Sequence, residues 1–383
     1  MKAVLSRIAG FVKKEPVLFA AFILAAISCF FVPLDGDYLN YIDFRTLAIL
    51  FCLMTVMAGL RKIGVFEILA RRLLGRVHSF KAVVFILWSL CFVFSMFITN
   101  DVALITFVPL TIVILNMLGA EAKEKWLIPV ITMQTVAANL GSMLTPIGNP
   151  QNLYLYGKAE ISIGDFILLM LPYSALSFLL LALWNILLCR REKLSPTVDF
   201  GEEKKLSEKK KLIGYLILFA VCLLTVAHII PYYAALASAI LYPLIYDRKV
   251  FKDVDYSLLL TFIGFFIFVG NMGRTEGFRT LLESVILGNE TISAVISSQV
   301  ISNVPAALLL SGFTDNYPAL IIGTNIGGLG TLIASMASLI SFKYVSRENK
   351  SDRLKYLGYF TAANIVFLAF MGGLAAILSL FPV

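Results

Sequence analysis

Charge is what this sequence has least of: 15% of its 383 residues are Asp, Glu, Lys or Arg, against about a quarter in soluble domains. Length alone suggests two or three soluble domains, but a chain so poor in charge cannot clothe them. Histidine is nearly absent. His78 and His228 each fall at the end of an apolar run, and no Gly-x-Ser-x-Gly occurs, which leaves no constellation for an intramembrane enzyme. The five cysteines (Cys29, Cys52, Cys91, Cys189, Cys222) sit in apolar runs without metal-ligand spacing and read as buried thiols. Gly327-Gly328-Leu329-Gly330 is followed by no Lys, which removes a phosphate loop. Residues 1–15 are basic and precede an apolar run, yet no Ala-x-Ala site follows, so Pro16 to Val32 reads as an uncleaved first helix.

What is present is apolar: 59% of the residues, with a mean hydropathy of +0.88. Runs long enough to cross a hydrocarbon core of about 30 Å recur along the chain. The reading is an all-α polytopic membrane protein with two inverted repeats, about nine full spans and two re-entrant hairpins, the first of which (82–118) has arms of about 17 residues that could instead each cross the bilayer. Two short amphipathic stretches, Val65 to His78 and Arg274 to Leu287, read as interfacial helices.

The hairpins are marked by polar interruptions. Ile98-Thr99-Asn100-Asp101-Val102 breaks about forty apolar residues, and Ile301-Ser302-Asn303-Val304-Pro305 repeats the pattern. Thr, Ser, Asn and Asp favour helix N-caps, and Pro305 is expected at the first helical position. Each stretch therefore reads as helix, polar turn, helix, with the unpaired N–H groups of the second helix facing the turn. Two longer apolar stretches, Trp126 to Tyr156 and Tyr317 to Phe342, are broken by Gly and polar residues. In the first of these the break runs through Thr145-Pro146 and Gly148-Asn149-Pro150-Gln151-Asn152. Irregular backbone at membrane depth is tolerated only where it is buried in protein or lines a watery cavity.

The two halves of the chain align. Asp43 to Phe66 matches Asp255 to Phe278, Asn100 matches Asn303, and Asn139-x-Gly141-x-x-x-Thr145 matches Asn325-x-Gly327-x-x-x-Thr331, in the same order. The expected organisation is a basic N-terminus (1–15), repeat one (16–189), a charged linker (190–211), and an extra span plus repeat two (212–383). With the N-terminus in the cytoplasm, 28 of the 32 basic residues fall in cytoplasmic segments, leaving Arg45, Lys158, Arg274 and Arg279 outside. That placement assigns the net charge of +8 to lipid headgroups rather than to nucleic acid. The extra span at 212–230 inverts the second repeat, so the two hairpins open from opposite sides. Inverted repeats with helices interrupted at the midplane are the signature of secondary transporters.

Thr-Asn-Asp-Val-Ala-Leu-Ile-x-Phe-Val-Pro at 99–109 and Ala-Asn-Leu-Gly-Ser-Met-Leu-Thr-Pro-Ile-Gly-Asn-Pro-Gln-Asn at 138–152 resemble the ion transporter superfamily. This group includes arsenite permeases, citrate transporter-like proteins and divalent anion/sodium symporters. The resemblance implies a two-repeat scaffold with re-entrant hairpins and an elevator-like transport domain. In the symporters Ser-Asn-Thr tips bind carboxylates and help bind sodium. Here the third tip position is Asp101 in one hairpin and Val304 in the other.

The expected function is ion-coupled secondary transport of a small anion, citrate- or dicarboxylate-like or an inorganic oxyanion, across the cytoplasmic membrane. A cation/proton antiporter or arsenite efflux permease on the same scaffold is the alternative, and a passive channel ranks behind both. The expected substrate-binding residues are Thr99, Asn100, Thr145, Pro146, Ser302, Asn303 and Thr331. The ion-coupling residues are Asp101, Asn139, Gly148, Asn149, Asn152, Asn325 and Gly327. Asp101 stands out because a charge deep in the membrane costs about 2.5 to 3.5 kcal/mol on insertion scales. Capping of a helix is its bland role and coupling its sharper one. Hydroxyl and amide oxygens beside it favour sodium slightly over a proton. No cofactor or metal beyond that ion is expected. The partners are the anion and the bilayer, with a homodimer left open and no nucleic acid.

Overall fold

The computed structural model describes residues 15–77, 79–192 and 208–380. The basic N-terminus through residue 14, His78 and most of the charged linker lie outside the described residues. Among those described there is no strand, and seven helical segments are long and apolar enough to cross a membrane.

The first half holds α1 (Pro16–Ser28), α2 (Phe44–Ile63), α3 (Val65–Leu74), α4 (Phe80–Ile98), α5 (Asn100–Met117), α6 (Ala120–Gly141), α7 (Pro150–Ala159) and α8 (Ile163–Leu188). The second holds α9 (Lys209–Val226), α10 (Tyr232–Tyr246), α11 (Tyr256–Gly273), α12 (Glu276–Ile286), α13 (Glu290–Ile301) and α14 (Asn303–Leu310), followed by α15 (Tyr317–Gly327), α16 (Met336–Glu348) and α17 (Asp352–Ser379).

Local chemistry sets the boundaries. Asp43 caps α2 by accepting from the Thr46 amide, and Asp255 caps α11 by accepting from the Leu258 amide, with nearly the same backbone angles. Gly64, at φ +81°, turns α2 into α3, a left-handed conformation that glycine adopts without steric cost. Ser162 and Asp165 form a reciprocal capping box at the start of α8. α3 and α12 are strongly amphipathic, as expected of interfacial helices.

The packing is reciprocal. α1 packs on α11, and α10 on α2. α4 packs along α6, and α13 along α15. Across the halves α5 meets α16 while α14 meets α7, and α6 meets α16 while α15 meets α7. Much of α6 is buried, including Thr132, Gln134, Thr135 and Asn139, so its polar residues must find partners inside the protein. Gln134 accepts from Thr111 at 2.9 Å and Thr135 donates to Ser341 at 2.7 Å.

Candidate functional site

Each polar interruption proves to be a one-residue break between two helices. α4 stops at Ile98 and α5 starts at Asn100, with Thr99 between them at φ 69°, ψ 152°. α13 stops at Ile301 and α14 starts at Asn303, with Ser302 between them at φ 77°, ψ 154°. This region is nearly exclusive to glycine, so each tip stores strain of about 1–3 kcal/mol. Neither hydroxyl caps the following helix. Asn100 instead accepts from the Asp101 amide at 2.9 Å, and the Asn303 amide donates to the Ala334 carbonyl at 2.9 Å. Pro305 is the third residue of α14 rather than the first, because the reversal is completed at Ser302.

The broken helices are held open by glycines and amides. After α6 a short 3₁₀ turn (Ser142–Leu144) leads to extended backbone at Thr145, the buried Pro146, and then Asn149 before α7. A Cβ on Gly148 would lie 2.1 Å from the Ser142 carbonyl oxygen, and one on Gly141 2.1 Å from that of Phe92, so both contacts are backbone on backbone. Asn149 donates to the Ser142 hydroxyl at 2.6 Å, and Asn152 reaches the Ser142 and Thr145 carbonyls at 3.4 Å each. The second break, between Gly327 and Met336, is clamped by Gln299. Its amide donates to the Gly327 and Leu329 carbonyls at 2.9 Å each and its side-chain oxygen accepts from the Thr331 amide at 2.9 Å.

The two halves make matching bonds. The Thr145 hydroxyl donates to the Met96 carbonyl, and the Thr331 hydroxyl donates to the Gln299 carbonyl at 3.1 Å. Met96 and Gln299 each stand three residues before a tip. Asn325 donates to Asn152 at 2.6 Å, and Asn139 donates to Ser338 at 3.5 Å, each crossing to the other half. At the offset that aligns Asn139 with Asn325, Asn152 aligns with Ser338.

These bonds join most of the expected residues into one buried cluster. Asn100 donates to the Asn139 side-chain oxygen at 3.0 Å, and Ser335 donates to the same oxygen at 3.0 Å. Ser335 follows Ala334, whose carbonyl accepts from the Asn303 amide and, at 3.4 Å, from the Ser302 hydroxyl. Both tips thus meet through Asn139 and the 334–335 segment. Asn100, Asn139, Asn149, Asn152, Ser302, Asn303 and Asn325 are all buried, as are Gly148 and Gly327. Thr331 stands apart on the exposed side of its loop. Sequence reasoning missed Ser335, Ser338 and Gln299. The alignment of the halves could have found the first two, since it places Ser335 opposite Asn149 and Ser338 opposite Asn152.

Several acceptors in the region lack donors, the Gln151 side-chain oxygen among them. One carboxylate oxygen of the half-buried Asp101 is shielded from solvent without a hydrogen-bond partner, and so is the side-chain oxygen of Asn325. Asp101 forms no ion pair among the described residues. Buried acceptors of this kind call for a proton or a hard cation.

Comparison with known proteins agrees with this architecture. An uncharacterized transporter of Methanocaldococcus jannaschii is 33% identical over 84% of this chain and 87% of its own length. The inner membrane protein YbiR of Escherichia coli is 31% identical over 82% of this chain and 83% of its own. An uncharacterized transporter of Mycobacterium tuberculosis is 24% identical over 80% and 79%. Together with the apolar helices and the buried polar cluster, these similarities make the chain an integral membrane transporter rather than an enzyme. It belongs to the citrate transporter family, whose profile matches residues 8–317.

Proposed function

We propose that this transporter moves a small anion, citrate- or dicarboxylate-like or an inorganic oxyanion, across the cytoplasmic membrane by coupling it to an ion gradient. The observation that carries the reading is the pair of equivalent helix breaks, Thr99-Asn100 and Ser302-Asn303, joined through Asn139 and Ala334-Ser335. Such a junction presents two helix N-termini and several amides to one small volume, which suits an anion.

The matched caps, tips and cross-half bonds support two inverted repeats, 16–189 and the part of 212–383 that follows the extra span. The arms of the second hairpin, 12 and 8 residues long, extend about 18 and 12 Å at 1.5 Å per residue, too short to cross a core of about 30 Å. They support re-entry of the second hairpin, whereas the arms of the first, 19 and 18 residues long, reach about 27–28 Å and suit either a re-entrant hairpin, with about nine full spans in all, or two further full spans. The distribution of basic residues supports a cytoplasmic N-terminus and a cytoplasmic linker over 190–211. In this reading Thr99, Asn100, Thr145, Pro146, Ser302 and Asn303 face the anion, while Thr331, exposed and bonded to Gln299, anchors its loop. Asp101, with Asn139 and Asn325 at the Gly148 and Gly327 breaks, takes the coupling ion, with sodium preferred, while Asn149 and Asn152 shape the site by holding the first break.

One observation favours the second reading, a cation/proton antiporter or arsenite efflux permease. Asp101 is an unpaired acid, and no basic side chain is bonded to the tip cluster among the described residues. Uptake into proteoliposomes separates the readings. Concentrative anion uptake that collapses when the sodium or proton gradient is removed supports anion symport. Downhill flux without any gradient supports a channel, and cation exchange without anion uptake supports the antiporter.

A further inference from the structure

Away from the hairpin tips, a cavity of about 710 Å³ opens where α2 begins, α7 ends, α8 begins and α9 ends. Arg45, Tyr156, Glu160, Ser162 and His228 line it. It lies at the end of α2 remote from Lys62, which pairs with Asp247 beyond α10.

Arg45 is half-buried in the first turn of α2 and has no carboxylate within ion-pair distance among the described residues. One of its guanidinium nitrogens reaches the Thr225 carbonyl at 3.4 Å. The other would lie 3.5 Å from a Cβ on Gly157, so the guanidinium sits against the Gly157 backbone, and both residues line the cavity. Beside it the buried Tyr156 packs edge-on against the exposed His228 ring at 5.8 Å. His228 closes α9 in a left-handed conformation, φ 64°, at a position where glycine is usual. That backbone turn and the edge-on contact with Tyr156 place the imidazole at the cavity wall.

We propose that this cavity is an anion-capture site, in which one carboxylate or oxyanion group of a small anion sits on Arg45 and His228 before the anion moves to the hairpin tips. The proposal rests on the transport reading for its purpose but not for its chemistry.

The charged and titratable groups facing His228 are Arg45 from α2 and Tyr156 and Glu160 from α7, while Asp165 of α8 is turned into its bond with Ser162. Burial, and then the Arg45 charge, push the imidazole below its ordinary value, with Glu160 opposing. At neutral pH His228 is therefore uncharged, and Arg45 and Glu160 leave the lining without net charge. Acidification adds one positive charge, so capture strengthens as pH falls. By reciprocity, a bound anion raises the affinity of His228 for its proton.

The chain has two histidines, so His78→Gln leaves one reporter. Protein carrying this substitution and ¹³C-labelled histidine, in detergent micelles or nanodiscs, is titrated by NMR in citrate, in phosphate and in chloride at matched ionic strength. Citrate or phosphate should raise the His228 pKa by about 0.5 to 1 unit relative to chloride. Arg45→Gln should remove that rise, and Arg45→Lys should keep part of it. An equal pKa in all three salts, or an undiminished rise in Arg45→Gln, overturns the proposal. The same titration in Asp101→Asn should still show the rise, because capture needs no transport. A rise without gradient-driven uptake would leave this site standing and remove the coupled-transport reading, whereas uptake without a rise would do the reverse.

Discussion

Asn325 donates its amide to the side-chain oxygen of Asn152 at 2.6 Å, across 173 residues of chain. The bond ties the broken helix of one half to the short helix after the break of the other. Asn139 and Ser338 make the reciprocal contact. Both breaks are therefore locked by the opposite half, and a change at one tip has a physical route to the other through amides with few alternative partners.

Removing Asn325 strands the Asn152 oxygen, and removing Asn152 leaves the Asn325 amide with its bond to the Ile321 carbonyl and one N–H without a partner. A buried unsatisfied group costs about 1–3 kcal/mol. Asn325→Leu and Asn152→Leu should each lower the unfolding temperature in detergent, and the double variant should lose much less than the sum of the two. Additive losses in this double-mutant cycle would show that the bond carries no coupling.

Thr99 and Ser302 adopt backbone angles that suit glycine. Thr99→Gly and Ser302→Gly should each stabilise the protein by up to about 1–3 kcal/mol through relief of strain. Each should also slow transport, since the tip loses its fixed geometry and its hydroxyl. Thermal unfolding together with uptake rates checks both halves of the prediction, and a glycine variant that is less stable contradicts it.

Gly148→Ala drives a methyl group into the Ser142 carbonyl, backbone that cannot swing aside. The expected loss is at least about 1–3 kcal/mol, the usual scale of overpacking. Gly358 in α17 has open space around its missing Cβ, so Gly358→Ala should stabilise by about 0.4–1 kcal/mol. Comparing the two melting curves separates a close-approach glycine from an idle one.

Much of this architecture was legible because the bilayer imposes its demands residue by residue. The polar interruptions at Thr99 and Ser302 mark the helix breaks. The two amphipathic stretches form helices α3 and α12, each slightly shorter than the stretch that announced it. The partners of the polar residues were not legible. Asn149 and Asn152 were expected to turn their amides toward a ligand, but their amides hold the break itself, through Ser142 and Thr145. Gln299 carries no local signal, since its role as a clamp arises only when Thr331, 32 residues later, folds back against it. Local patterns record burial and breaks, whereas pairings between distant residues come from tertiary packing.

Asn100→Ala and Asn303→Ala test whether the tips act as halves of one site. Each should abolish uptake while lowering stability by no more than about 1–2 kcal/mol, the range of membrane hydrogen bonds. Wild-type uptake by either purified, folded variant would remove both residues from the site.

Asp101, with its shielded and unpartnered oxygen, is the residue proposed to couple an ion to the anion held at the two tips. Asp101→Asn keeps the shape and removes the charge. Concentrative anion uptake by this variant is measured in proteoliposomes under a sodium gradient and, separately, under a proton gradient. The account predicts that the variant loses the response to the gradient that drives the wild type, with sodium the favoured ion. A variant that concentrates the anion under both gradients as the wild type does would contradict it and place the coupling site elsewhere.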